Sequence, residues 1–263
     1  MTRVAMVTGA SSGIGEAYAD RLAADGYDLV IVARREDRLR GLGARLEATQ
    51  GVTVKAVQAD LGHPNDVQRV CDEIDTAQLD ILVNNAGLAH YMPFAELPPL
   101  QAQELVDVNV LAPVLLTRAA VTGMLARERG SIINVASLLA FSGPVDAPHL
   151  PKRAVYAATK SFLVTFSEVL AGEVLARGVQ VQVVCPGLVR SEFHTRQGLD
   201  MSGVPRMEPR QVVEASLADL ANGVVVSIPG LADVDSYAHL EAADHELLGA
   251  TRTTELPDRY RQS

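Results

Sequence analysis

Seven short apolar runs, rich in β-branched residues, recur along the 263-residue chain with helical patterns between them. That alternation constrains the fold more than any other feature. The runs cover residues 4–8, 29–33, 52–57, 81–84, 131–135, 179–184 and 224–228. Continuous apolar runs of this length read as strands buried on both faces. Between them, residues 14–25, 36–49, 65–74, 100–127, 154–177 and 208–222 have helical spacing. Parallel neighbours need a crossover long enough to hold a helix. The pattern therefore predicts an α/β fold: a Rossmann-type doubly wound sheet, seven-stranded and mostly parallel, with helices on both faces. Such sheets bind ligands at the carboxyl ends of their strands.

Hydrophobic residues make up 48% of the chain, ample for the core of one domain spanning residues 1–263. Two stretches break the rhythm. Residues 142–153 carry Pro144, Pro148 and Pro151 and read as an irregular loop at the substrate mouth. Residues 190–210 carry Gly198, Gly203, Pro205 and Pro209 and read as a mobile substrate lid. Residues 231–263 are polar and weakly periodic, a short helix or extended tail. The net charge of −9 argues against nucleic acid or an anionic membrane as partner. No run reaches the roughly 18 apolar residues of a membrane span, and glycines and serines interrupt the first fifteen residues too early for a signal peptide. Cys71 and Cys185 lack metal-ligand spacing and read as buried free thiols, which fits a reducing cytoplasm. None of the six histidines is paired at metal spacing, so no metal is expected; His90, His149 and His194 fall where loops near the mouth are expected.

Three motifs carry chemistry. After the first strand comes Gly9-Ala10-Ser11-Ser12-Gly13-Ile14-Gly15, and then a helix. Glycines let backbone N–H groups approach a pyrophosphate, and the helix N-terminus adds partial positive charge. The second strand ends in Arg34-Arg35, where an acid would bind the free 2′-hydroxyl of NAD; arginine forks suit the 2′-phosphate of NADP. Arg34, nearer the strand end, is the favoured ligand, with Ser11 and Ser12 within reach. The third motif is Tyr156 followed four residues later by Lys160, one of three lysines in the chain. On a helix the two share a face. A cation beside a phenol lowers its pKa from about 10 and suits it to general acid–base work.

Taken in order, residues 8–15, Asn84-Asn85-Ala86-Gly87, Asn109, Ser137, Tyr156/Lys160 and Pro186-Gly187 resemble the short-chain dehydrogenase/reductase family, and Arg34-Arg35 its NADP-preferring branch. The resemblance implies NADP(H) as cofactor, with NAD(H) the alternative, and hydride transfer between nicotinamide and a carbonyl or secondary alcohol substrate. It also implies a homodimer or homotetramer. Tyr156 would protonate the carbonyl oxygen, Ser137 hold it, Lys160 lower the tyrosine pKa and bond the nicotinamide ribose, and Asn109 anchor a water chain. Asn85, Ala86 and Gly87 would line the cofactor; Asp60, with Leu61 beside it, would bond the adenine. Pro186, Gly187, Val189 and Ser191 would grip the carboxamide. A noncatalytic NADP-binding sensor is the rival from another class, and the intact Ser137, Tyr156, Lys160 and Asn109 set speaks against it. From Ser137 to Tyr156 the numbering runs 19 residues, longer than the family commonly shows. The helix from residue 154 and residues 105–116 are apolar on more than one face and are the expected subunit contact.

Overall fold

The structure is a computed structural model that describes residues 3–143, 145, 147, 149–233, 235–250 and 260. Residues up to Pro229 form one unit and Gly230–Ser263 a second. Seven strands make up the sheet of the first unit: β1 (Arg3–Thr8), β2 (Tyr27–Ala33), β3 (Val54–Gln58), β4 (Ile81–Asn84), β5 (Gly130–Val135), β6 (Val179–Val184) and β7 (Val226–Ser227). All pairings are parallel, in the order β3-β2-β1-β4-β5-β6-β7. The chain winds outward in both directions from β1 and β4, so a crevice opens beyond their carboxyl ends. The sheet is fully parallel. Its last strand shrinks to two residues, and β3 starts two residues later than the apolar run that marks it.

The central strands are mostly apolar because both faces are covered, whereas edge strand β3 exposes Lys55, Ala56 and Gln58. Ala5, Val7, Leu29 and Ile31 pack against α1 (Gly13–Ala24), α2 (Glu36–Gln50) and α8 (Pro209–Ala221). Met6, Val30, Val32 and Leu82 face the other way, onto α3 (Pro64–Ala77), α5 (Ala112–Ala126) and α6 (Ala154–Val174). The helix expected over 100–127 is continuous but not uniform. It comprises α4 (Pro99–Val106), a π-helical turn (Asp107–Leu111) and α5. By length and composition Pro99–Ala126 would span a bilayer, contrary to the reading of the apolar runs, but half of its most apolar stretch is packed inside the protein.

A buried polar chain fixes α6 to the sheet. Asn84 Nδ2 donates to Asn134 Oδ1 at 2.9 Å across the β4–β5 register, and Asn134 Nδ2 donates to Ser167 Oγ of α6 at 2.9 Å. Buried polar groups require such partners, and here the partners set the helix that carries Tyr156 and Lys160. Two further short helices flank the crevice: a 3₁₀ turn at Leu138–Phe141 and α7 (Glu192–Arg196). In the second unit, α9 (Asp235–Ala250) buries none of its residues. Positions 251–259 and 261–263 of the expected tail, and Pro144 and Pro148 of the loop, lie outside the described residues.

Candidate active site

A cavity of about 1060 Å³ runs along the carboxyl edge of the sheet. Every residue singled out as a site candidate lines it except Gly15 and Asn109. Gly15 lies behind the phosphate turn, where an added Cβ would strike Gly9 and Asn85. Gly9 has φ +66°, and a Cβ there would stand 2.9 Å from Ala86 Cα; only glycine meets both demands. The turn is braced by β4. Asn85 Nδ2 donates to the Thr8 carbonyl at 2.9 Å, and Thr8 Oγ1 accepts the N–H groups of Asn85 and Ala86 at 2.9 and 3.0 Å. Ser12, the N-cap of α1, makes no side-chain capping bond. The first-turn N–H groups of α1 therefore have no side-chain acceptor from the cap, and they face an anion site.

The two arginines part company. Arg35 bends back over the turn: its Nη2 donates to Ser11 Oγ and Ser12 Oγ, each at 2.9 Å. Arg34 instead points toward Asp60, at 3.7 Å. The guanidinium over the phosphate turn is thus Arg35, not Arg34. Arg35 is the N-cap of α2 with extended backbone (φ −90°, ψ 92°). Asp60 is engaged by its own loop as well, accepting the Gly62 N–H at 3.0 Å.

At the other end, Tyr156 and Lys160 share one buried face of α6, 5% and 4% exposed. Burial outweighs the electrostatic relation expected between them. Lys160 Nζ donates to the Val135 carbonyl at 2.9 Å and lies over the Tyr156 ring, 5.8 Å from its centre. Burial pushes the Tyr156 phenol up to about 12, against the pull of hydrogen bonds from Ser137 and Tyr91. Burial also draws the Lys160 ammonium down to about 8. Desolvation disfavours whichever form is charged, and a sequence does not display it. Lys152, four residues before Tyr156, is exposed and precedes α6.

Asn109 is fully buried in the π-helical turn. Its amide clasps Leu88 in both directions, Nδ2 to O at 2.9 Å and N to Oδ1 at 3.0 Å, and reaches Thr159 of α6 at 3.2 Å. Gly87 separates it from the cleft: a Cβ there would stand 3.3 Å from Asn109 Oδ1 and 3.4 Å from Lys160 Nζ.

Two loops complete the walls. Arg153 gathers the segment before α6, donating to Ser142 Oγ at 2.7 Å and to the Val145 carbonyl at 2.9 Å, and His149, Leu150 and Pro151 line the cleft. The segment after β6 is pinned at its base by a bridge between Val189 and Met207. Its helix α7 sends Glu192 to Arg35 at 2.9 Å and to Arg38 at 2.6 Å. Those arginines and Arg196 hold the Glu192 carboxyl down at about 2, with Arg38 contributing most. Tyr91, Arg153 and Glu192 carry no motif; each finds its role through contacts distant in sequence or in unpatterned loops. His149 and His194 line the cleft, whereas His90 is bonded to Glu104 at 3.0 Å.

The donor set fits a phosphorylated dinucleotide: a glycine turn at a helix N-terminus, serine hydroxyls and a guanidinium at one end of a long cleft, and a proton-bearing phenol at the other. The family model for short chain dehydrogenases matches residues 3–201. A short-chain dehydrogenase from Sphingobium yanoikuyae in complex with NADPH superposes with a TM-score of 0.92 at 35% identity, covering 98% of this chain and 100% of that one. The bulky-bulky ketone specific alcohol dehydrogenase of Comamonas testosteroni gives a TM-score of 0.88 at 32% identity over 98% of both chains. A very-long-chain 3-oxoacyl-CoA reductase of Phaeosphaeria nodorum is 33% identical over 222 residues, 82% of this chain and 62% of its own length. The chain thus spans about three fifths of that relative. The protein belongs to the short-chain dehydrogenase/reductase family, and its chemistry is that of an oxidoreductase.

Proposed function

We propose that the protein is an NADP(H)-dependent carbonyl reductase that acts on bulky apolar ketones, with Tyr156 as the acid. One observation carries the reading: a buried phenol beside Ser137 stands at one end of a cleft whose other end presents Arg35 across two phosphate-turn serines. NADPH, when bound, supplies the hydride. Arg35, Ser11 and Ser12 would hold its 2′-phosphate, and the N-terminus of α1 its pyrophosphate. The NADPH-bound relative supports this choice over NAD(H). Ser137 orients the carbonyl oxygen and donates to it as negative charge develops there. Tyr156 breaks its O–H bond to that oxygen, giving the alcohol and a phenolate. Asn109 and Lys160, either side of Gly87, would anchor the path that returns the proton. A phenol near 12 keeps its proton at neutral pH, so the site favours reduction there, and alcohol oxidation should quicken as pH rises.

Leu138, Leu139, Leu188, Phe193, Leu199 and Val204 wall the cleft beyond Tyr156. Apolar walls on both sides suit a ketone with two large substituents, the class named for the Comamonas relative. A 3-oxoacyl thioester is the second reading, favoured by the names of the curated relatives. The deciding experiment follows NADPH absorbance with diaryl ketones, branched ketones and 3-oxoacyl-CoA esters. Turnover of bulky ketones at least ~10-fold above the thioesters in kcat/KM is expected; the reverse order selects the second reading, and no consumption with any of them rejects the function. The exposed Leu111, Leu115, Phe162 and Val169 on the helices α5 and α6 and the turn before them support a homodimer or homotetramer through that face. Sizing chromatography checks it. Two free thiols and the acidic charge support a cytoplasmic protein without nucleic-acid or membrane partners.

A further inference from the structure

Tyr91 lies in the loop between β4 and α4, outside every motif described above. Its ring stands edge-on to that of Tyr156, with centroids 5.3 Å apart and planes at 78°. It packs into the same apolar cluster, with Leu88, Leu139 and Phe193, and lines the cleft. That places its hydroxyl near enough to draw the Tyr156 phenol down against burial. The loop is fastened at two points just before it. Three residues before, Leu88 is clasped by Asn109 of the π-helical turn; one residue before, His90 Nε2 meets Glu104 Oε2 of α4 at 3.0 Å. Two separate parts of one helix thus hold the ring in register with α6.

A tyrosine packed into an apolar cluster usually finds a partner for its hydroxyl. Here the partner is the oxygen that reacts. We propose that Tyr91 is a second hydroxyl donor to the reacting oxygen of Tyr156, positioning it and stabilising the phenolate left when its proton departs. The inference rests on the reading of Tyr156 as the acid. As the Tyr156 O–H bond breaks and the substrate O–H bond forms, negative charge collects on the phenolic oxygen. Ser137 is then turned to the substrate, and Tyr91 is the hydroxyl that remains. Tyr91 keeps its own proton throughout, since burial makes it the weaker acid. The other titratable groups around the pair are Lys160 on α6, Cys185 beside Lys160, the His90–Glu104 pair, and His194, whose ring meets Phe193 at 5.5 Å.

The test compares Tyr91→Phe with Tyr91→His, which restores a donor, in the full-length enzyme with NADP(H) and its best ketone–alcohol pair. For Tyr91→Phe, kcat is expected to fall roughly tenfold with KM nearly unchanged, and the midpoint of the pH profile for alcohol oxidation to move up by about one unit. Tyr91→His should keep its midpoint within about half a unit of the wild type. A purely structural tyrosine would lose activity without moving the midpoint. If neither variant moves it, or both move it equally, the proposal is overturned. If Tyr91→Phe does not fold, Tyr91→Leu serves as the donor-free variant. Tyr156→Phe, run beside them, separates the premises: turnover surviving in that variant removes the reading of Tyr156 itself, and Tyr91's role with it.

Discussion

Around Tyr156 the cleft is buried and its hydrogen bonds are few, whereas around Ser11 it is lined by Arg35, 32% exposed, and Glu192, 43% exposed, which share one ion-pair cluster with Arg38 and Arg196. The difference is one of medium. At the catalytic end desolvation dominates and holds both Tyr156 and Lys160 toward their neutral forms. At the phosphate end charges are paired in the presence of water, so each pair is weak by itself and the geometry of the cluster matters more than any one contact. Changes at the first end should alter proton affinity, rate and pH response. Changes at the second should alter cofactor affinity and its dependence on salt.

Tyr156→Phe should show the largest effect. It removes the reacting hydroxyl and keeps the ring, so kcat is expected to fall ~10³-fold with NADPH affinity intact, as single-turnover kinetics and fluorescence titration would show. A small effect would place the acid elsewhere and break the comparison at its buried end.

Lys160 gives the next. Below about pH 8 both folded and unfolded chains carry its proton, and the cost of burying the charge is present in full. Between about 8 and the ordinary value of 10.5 the folded chain sheds the proton while the unfolded one keeps it. The unfolded state then binds more protons, so stability rises with pH across that window. Relative to Lys160→Met, the wild type should therefore gain on the order of 3 kcal/mol from pH 8 to 10.5, measured by denaturant unfolding of both proteins. A flat difference would show that the ammonium is not desolvated.

At the open end, Arg35→Ala should raise the KM for NADPH ~10–100-fold and leave that for NADH within about threefold, while Arg34→Ala acts several-fold less. Equal effects of the two substitutions would undo the distinction between them. The smallest change is expected from Glu192→Gln. Its carboxylate competes with a phosphate for Arg35 and Arg38, so its loss should tighten NADPH binding by about two- to fivefold at low salt, with the gain vanishing at high salt. Isothermal titration at two ionic strengths measures it.

The same contrast explains what the sequence could and could not say. Strands and motifs were legible because a parallel sheet writes them locally: each apolar run ends where Gly9, Arg35, Asp60, Asn85, Ser137 and Pro186 stand, on the edge where ligands bind. The pairing of Arg35 with Glu192 spans 157 residues and depends on where a flap crosses a turn. The choice of Arg35 over Arg34 depends on how the chain enters α2. The phenol's upward shift depends on burial, which the Tyr–Lys spacing does not reveal; that spacing placed both residues on one face and left the larger influence out. Tyr91 sits in a loop with no period at all.

The π-helical turn has a consequence for the long helix that contains it. Leu105 and Met124, both fully buried, are nineteen positions apart. At about 100° per residue an unbroken α-helix would carry Met124 five turns and a further quarter turn beyond the line of Leu105. The wide turn at Asp107–Leu111 takes up that surplus. Removing one residue from it would leave eighteen positions, five regular turns, and keep the two in line; regularising the turn at its present length would put them a quarter turn apart, so that the helix must roll and surrender either its grip near Tyr91 or its seat on the sheet. An irregularity of one residue is what lets a single rod serve two surfaces.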